Sequence, residues 1–375
     1  MKILFTGGGT GGHFYPIIAV IDAINAIIER EKIIKADFIF MSEFSYDSPL
    51  LLQKGVRFKK VSSGKIRRYF SFLNIIDIFK IILGAMKAIR NIYFDFPDVV
   101  FSKGGYSSFP AVFAARIFRI PLMVHESDVV PGKVNRWAGK FAEKIAISFP
   151  QSVKYFSEKK TALTGNPVRR EFFVPAKQGA REFLDLEEGA PIILIIGGSQ
   201  GAKKINDTII DVLPELVKKY QIIHQCGKKN LAESKGRSSL MLEGSNFKSR
   251  YHIFDYLNLS ALRMAYGVSD LVISRAGSGS IFEIATSGLP SILIPISNSA
   301  QDHQRKNAYA YAKIGAADVI EEINLSSHLL HSEIKRLFEE KEKMFAMAEA
   351  ARKFAKPDAA EKIAREIINL VLEHA

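Results

Sequence analysis

Two hydrophobic periods alternate along the chain. Short apolar runs, too brief for anything but strands, lie at 3–5, 38–41, 58–61, 99–102, 122–125, 145–147 and near 162–163. Longer stretches between them carry apolar residues at helical spacing. Ile17, Val20, Ile21, Ile24 and Ile28 fall at i, i+3, i+4, i+7 and i+11 of one helix face. Such alternation predicts a parallel sheet with helices on both faces, right-handed crossovers, and ligands at the carboxyl ends of the strands. Glycine and proline break the pattern at Thr164-Gly165-Asn166-Pro167-Val168-Arg169, which reads as a domain junction. The pattern then restarts, with apolar runs at 192–196, 222–224, 252–254, 271–274, 292–296 and 318–320, and closing helices separated by Pro357. The expected fold class is α/β, with two doubly wound Rossmann-like domains. The first covers 1–165, with a closing helix of about 357–375 packing back on it, and the second covers 166–356.

Glycine turns punctuate the strand ends. The first run leads through Thr6 into Gly7-Gly8-Gly9-Thr10-Gly11-Gly12, and His13 opens the following helix. Glycines let backbone approach a ligand closely, and the free N–H groups of a helix start favour an anion such as phosphate. His13 stands where a reacting group could meet it. Gly7, Gly9 and Gly12 also satisfy the dinucleotide fingerprint G-x-G-x-x-G, with Glu43 as a candidate ribose acceptor, so this loop alone leaves a nicotinamide oxidoreductase open. Further strand ends carry Lys103-Gly104-Gly105-Tyr106, then Glu126 and Asp128, whose carboxylates are site candidates. For Asp128 a helix-capping role is the competing reading. In the second half, Gly197-Gly198-Ser199-Gln200-Gly201-Ala202 repeats the strand–turn–helix pattern. Ser274-Arg275-Ala276-Gly277-Ser278-Gly279-Ser280 feeds a helix bearing Glu283, and Gln301-Asp302-His303-Gln304 follows the next strand. A dehydrogenase needs one such loop. Loops in both halves argue instead for two domains facing across a cleft, one holding a nucleotide and the other an acceptor.

Charge adds a third partner class. The chain of 375 residues has a net charge of +13. Residues 1–165 hold 24 Lys and Arg against 13 Asp and Glu, whereas 166–375 hold 28 against 26. A basic first half suggests a polyanion: nucleic acid, an anionic membrane surface or a phosphorylated substrate. Residues 64–91 sharpen the choice. Ile75, Phe79, Ile82, Met86 and Ile89 keep helical spacing, and the polar positions Asp77, Lys80 and Lys87, with Gly84, leave only a narrow stripe. Lys65, Arg67 and Arg68 precede them among Tyr69, Phe70 and Phe72. Apolar surface beside basic residues predicts contact with an anionic lipid interface, against the plainer reading of a buried crossover helix. No nucleic acid is expected, because the aromatics lie in apolar helices and form no stacking platform. The single Cys226 excludes disulfides within the chain and fits a reducing compartment. Met1-Lys2 runs straight into a strand, so no signal peptide is expected, and no uninterrupted apolar run is long enough to suggest a membrane-spanning helix.

Seven motifs in order, GGGTGGH, KGGY, HES, GNPVR, GGSQGA, SRAGSGSIFE, and GLPSILIP followed by DHQRKNA, span nearly the whole chain. Together they closely resemble the MurG family, the bacterial transferases that move N-acetylglucosamine from UDP-N-acetylglucosamine to lipid I, forming lipid II for peptidoglycan. The resemblance implies an inverting glycosyltransferase of GT-B fold at the cytoplasmic face of the cell membrane. Its partners would be the nucleotide sugar, lipid I (an undecaprenyl-diphosphate-linked muramyl pentapeptide) and anionic lipids. It places Thr10, Gly11 and Gly12 close to sugar and diphosphate, and Arg169, Ser199, Gln200 and Gly201 near diphosphate and nucleotide. Ser278, Gly279, Ser280 and Glu283 would form the nucleotide wall, with Glu283 accepting from the ribose, and Gln304 would meet the sugar hydroxyls. The family often has Asn where this chain has Asp128, and a carboxylate accepts but cannot donate. His13 is the first candidate for general base and Glu126 the second. No D-x-D motif and no set of His and carboxylate ligands is present, so neither a catalytic metal nor another cofactor is expected. A related GT-B enzyme acting on a glycerolipid is the alternative.

Overall fold

The computed structural model describes residues 1–64, 73–174, 176–198 and 201–374. The basic cluster Lys65, Arg67 and Arg68 with its aromatics, and the site candidates Ser199 and Gln200, lie outside the described residues. Two compact units emerge: Met1–Arg169 with Lys356–Ala375, and Arg170–Ala355.

The first unit is built on seven strands, β1 (Lys2–Thr6), β2 (Asp37–Ser42), β3 (Val56–Lys60), β4 (Val99–Ser102), β5 (Leu122–Glu126), β6 (Lys144–Ile147) and β7 (Thr161–Leu163). All pair in parallel in the order β3-β2-β1-β4-β5-β6-β7. Its central strands carry apolar residues on both faces because helices cover both sides. Alternation decides which side chain serves which face. Ile3 and Phe5 pack with the Gly11–Glu31 helix, and Leu4 packs with Ala88, Ile92, Ala111 and Val112 on the other side. The closing helix, Ala359–His374, lays Ile363, Ile367 and Val371 into the core formed by Phe14, Ile17, Val20 and Ile24.

Two helices bear on the membrane expectations. The Gly11–Glu31 helix is long and apolar enough to cross a membrane, although no such helix was expected. Most of that apolar stretch is buried inside the unit, where it forms the central core helix. The second is the Leu73–Asp95 helix, which turns large apolar side chains outward. Asp77 and Gly84 pack inward with Ala88 and Ile92, while Phe79 (63% exposed), Leu83 (61%) and Met86 (60%) face outward together with Lys80 and Lys87. Close backbone approach fixes which side faces inward. A Cβ on Gly84 would collide with the carbonyl oxygen of Ser62, and one on Gly64 with that of Asp77.

The second unit repeats the design with β8 (Ile192–Ile196), β9 (Gln221–Gln225), β10 (Tyr251–Phe254), β11 (Leu271–Ser274), β12 (Ser291–Leu293) and β13 (Ala317–Val319). The order is β10-β9-β8-β11-β12-β13, again wholly parallel. β12 stops short of 296, since Pro295 has no N–H to give the ladder. In each sheet the strand order reverses between two central neighbours, β1 and β4 or β8 and β11. Ligands of doubly wound folds bind at that switch point. The glycine turns follow these same four strands.

Candidate active site

In the first unit the turn after β1 holds the first candidate base. Thr10 caps the Gly11–Glu31 helix with extended backbone (φ −130°, ψ 157°), and its carbonyl accepts from the N–H groups of His13 (3.0 Å) and Phe14 (3.1 Å). Its Oγ1 lies 3.0 Å from His13 Nδ1. Thr10 and Gly12 are exposed at this helix start, whose first N–H groups lack intrahelical partners. The His13 imidazole is held by two interlocked glycine turns. A Cβ on Gly8 would sit 3.1 Å from His13 Nδ1, and one on Gly105 would sit 3.3 Å from His13 Nε2 and 2.8 Å from Gly8 Cα. Gly105 also has φ +83°, where a side chain is strained. Arg169 is buried, with its guanidinium carbon 4.1 Å from the centre of the Tyr15 ring. Tyr15 meets Tyr46 edge-on at 5.7 Å, and a Cβ on Gly11 would approach the Tyr46 hydroxyl to 2.7 Å. The aromatic pair beside Gly11 was not singled out by sequence, since Tyr46 comes from the distant loop after β2.

Glu126 ends β5 and is buried. Its Oε1 accepts from Asp128 N–H (2.9 Å), and its Oε2 from Gly132 N–H (3.1 Å) and the Asn135 side-chain amide (3.0 Å). Burial, then the charge of Asp128, pushes its carboxyl above the usual range, while the bonds from Asp128 and Asn135 work the other way. A carboxylate engaged by three donors organises the turn that presents Asp128, and this suits it poorly to serve as a base. His125 is fully buried, with Nε2 3.0 Å from Gly165 O, and burial together with the Lys103 charge keeps it neutral. Glu43, the ribose candidate of the dinucleotide reading, accepts instead from Ser63 Oγ at 2.6 Å.

The second unit has an interlock of its own, between the turns after β8 and β9. Gly201 (φ +75°) and Gly227 (φ +91°) touch: a Cβ on Gly227 would fall 2.7 Å from Gly201 Cα. The turn after β8 therefore rests on the end of β9, behind the start of the Lys203–Leu216 helix. Ser278, Gly279 and Ser280 form the first turn of the Ser278–Ser287 helix, and Glu283 is half-buried further along it. Gln304 uses its side-chain carbonyl to accept from Ile296 N–H (3.1 Å), which leaves its NH2 as the group on offer. A partner pair missed by sequence shapes this loop. Arg275 pairs with Glu322 and donates to Ile294 O (3.2 Å), and Glu322 accepts from Ser297 N–H (3.0 Å). Arg275 lay within a noted motif, but its partner stands 47 positions away.

The sequence pattern of the glycosyltransferase family 28 N-terminal domain matches residues 3–147, and that of the C-terminal domain matches residues 192–363. A Clostridium perfringens (strain SM101) protein named "UDP-N-acetylglucosamine--N-acetylmuramyl-(pentapeptide) pyrophosphoryl-undecaprenol N-acetylglucosamine transferase" is 38% identical over 91% of this chain and 91% of its own length. A Bacillus cereus (strain ATCC 14579) protein named as a second transferase of the same kind is 40% identical over 88% of this chain and 90% of its own. Among solved structures, MurG of Acinetobacter baumannii superposes with a TM-score of 0.72 at 24% identity, covering 98% of this chain and 99% of that one. The fold is GT-B, and the chain belongs to glycosyltransferase family 28 and within it to the MurG family.

Proposed function

We infer that the chain is the inverting hexosyltransferase that moves N-acetylglucosamine from UDP-N-acetylglucosamine to the 4-hydroxyl of N-acetylmuramic acid in lipid I, forming lipid II for peptidoglycan synthesis. One observation carries this reading. Each of the two Rossmann-like units packs the glycine turn after its first strand against the turn of a neighbouring strand, Gly8 against Gly105 and Gly201 against Gly227, and the first of these pairs encloses an imidazole. Relatives named for this transfer, alike over nine tenths of the chain, support the same reaction.

The chemistry assigns the roles. The acceptor O4 loses its proton to His13 as it attacks C1 of the donor sugar. The O4–C1 bond forms opposite the breaking C1–O bond, whose electron pair leaves with UDP, so the anomeric centre inverts. With Nδ1–H donated to Thr10 Oγ1, Nε2 keeps its lone pair for that proton. The leaving diphosphate gains charge. Backbone N–H groups from Gly198 to Gly201, the helix start behind them and Arg169 are the groups assigned to it, with Gln200 and Ser199 among them. Ser278, Gly279, Ser280 and Glu283 take the nucleoside, Gln304 and Asp128 the sugar, and Thr10, Gly11 and Gly12 the diphosphate and sugar.

Peripheral attachment to the cytoplasmic face of the membrane belongs to the same proposal. The outward face of the Leu73–Asp95 helix supports it: Phe79, Leu83 and Met86 are exposed beside Lys80, Lys87 and Arg90. The deciding experiment is transfer of labelled N-acetylglucosamine to a short-chain lipid I analogue. A labelled, β-linked disaccharide is expected. Tight donor binding without product would overturn the acceptor and point to another lipid, such as a glycerolipid.

A further inference from the structure

Lys103 lies outside every role assigned above, yet it is only 1% exposed and its Nζ meets no hydrogen-bond partner among the described residues. A buried ammonium with unmet donors is costly unless charge of opposite sign holds it. Its backbone is fixed at the end of β4, where its N–H donates to Thr6 O (2.8 Å), and its Cβ lies against Gly7 of the first glycine turn. Burial pulls its proton affinity down, and the charges of Glu126 and Asp128 pull it back up. The same two carboxylates belong to one packed piece with it. The Asn135 amide that binds Glu126 Oε2 lies under Gly104, where a Cβ would come 2.7 Å from Asn135 Oδ1, and Glu126 Oε1 accepts from the Asp128 N–H.

We propose that Lys103 is a positioning residue whose ammonium offsets the charge of the Glu126–Asp128 carboxylate pair, so that Asp128 presents an acceptor to a substrate hydroxyl. Two carboxylates two residues apart, one of them buried, repel. Without a cation one of them takes up a proton, and the acceptor geometry at Asp128 is lost. An uncharged side chain at 128 would remove the need for the cation. That Asp128 meets a sugar rests on the function proposed above, whereas the charge balance itself does not.

A double-mutant cycle tests it, with Lys103→Met, Asp128→Asn and the pair together, read by thermal midpoint without substrate and by kcat and KM for UDP-N-acetylglucosamine. Lys103→Met is expected to lower kcat/KM by about thirtyfold or more, Asp128→Asn to lower it in the native background, and the double variant to exceed Lys103→Met by about tenfold. Lys103→Arg, which keeps the charge, should recover part of the loss. Effects that simply multiply, or a Lys103→Met enzyme with native kinetics, overturn the proposal. Coupling in the midpoint without coupling in kcat/KM also overturns it, because the role would then be structural alone. If Lys103→Met does not fold, recovery of folding and turnover in the double variant supports the pairing, and a double variant that also fails sinks it. A native enzyme that transfers nothing would fall against the proposed reaction, with the thermal cycle still judging the charge balance.

Discussion

In the proposed reaction His13 is the base, and its replacement tests that role directly. The imidazole lies against Gly8 and the Gly105 turn and reaches Thr10 Oγ1. Replacing it with Ala should lower kcat by about 10² to 10⁴, the usual weight of general-base catalysis, while the thermal midpoint changes little. Near-native turnover from that variant would remove His13 as the base. Gly105→Ala should fail differently. The new Cβ meets Gly8 Cα at 2.8 Å with φ at +83°, so both stability and turnover should fall, with about 2 kcal/mol lost in denaturant unfolding. An unchanged unfolding midpoint would mean that the two turns move apart freely. These positions were legible because a glycine run and a lone histidine carry their signal locally. Lys103 was not, although it stood in a noted motif. Its burial depends on β1 and β5, which flank β4 only once the sheet has formed.

At the scale of elements, the thirteen strands among the described residues match the short apolar runs, most clearly the central strands, which a parallel sheet buries on both faces; the edge strand β3 keeps Arg57 and Lys60 exposed. The ties between elements were not legible in the sequence. In the second unit, His224 on β9 joins β10 to the Lys203–Leu216 helix. Its Nδ1 lies 2.8 Å from the Tyr251 hydroxyl and its Nε2 lies 3.0 Å from Asn206 Oδ1. The Asn206 amide donates to Cys226 O (2.9 Å), so its Oδ1 accepts, His224 Nε2 carries the proton, and the neutral ring satisfies both partners. Burial pushes the folded imidazole down to about 3, against an ordinary value near 6.5. Between those values the unfolded chain binds the proton and the native chain does not. The stability from the neutral ring is therefore full above pH 6.5 and is lost as pH falls toward 3. Going from pH 7 to pH 5 should cost about 2 kcal/mol through this residue. Denaturant unfolding of native protein and of His224→Gln at both pH values checks it. The variant is weaker at pH 7 but should lose about 2 kcal/mol less on acidification. Equal losses would show that His224 is protonated without penalty.

Across the whole molecule, charge and apolar exposure fall in the same part of the chain. The first 165 residues carry 24 cationic against 13 anionic side chains, and the Leu73–Asp95 helix turns Phe79, Leu83 and Met86 outward. Helical spacing announced the helix, but its sidedness was hidden, because the backbone contacts of Gly64 and Gly84 decide which stripe faces inward. Electrostatics alone would give a binding to anionic vesicles that salt abolishes, whereas insertion of apolar side chains is nearly indifferent to salt. Each inserted side chain contributes about 1.5–3 kcal/mol when fully withdrawn from water. Replacing Phe79, Leu83 and Met86 together with Ser should therefore weaken vesicle affinity by about a hundredfold or more and leave a residue of binding that disappears in high salt. These side chains are exposed on the folded unit, so the thermal midpoint should hold and donor affinity should be native. Co-sedimentation with phosphatidylglycerol vesicles at low and high salt reads both contributions at once. If the triple variant binds as the native protein does and salt removes both equally, charge alone holds the enzyme at the membrane and the exposed helix face has another use. If the triple variant loses salt-resistant binding while transfer to a water-soluble acceptor analogue continues at the native rate, the helix delivers the enzyme to its lipid-borne substrate without taking part in the chemistry.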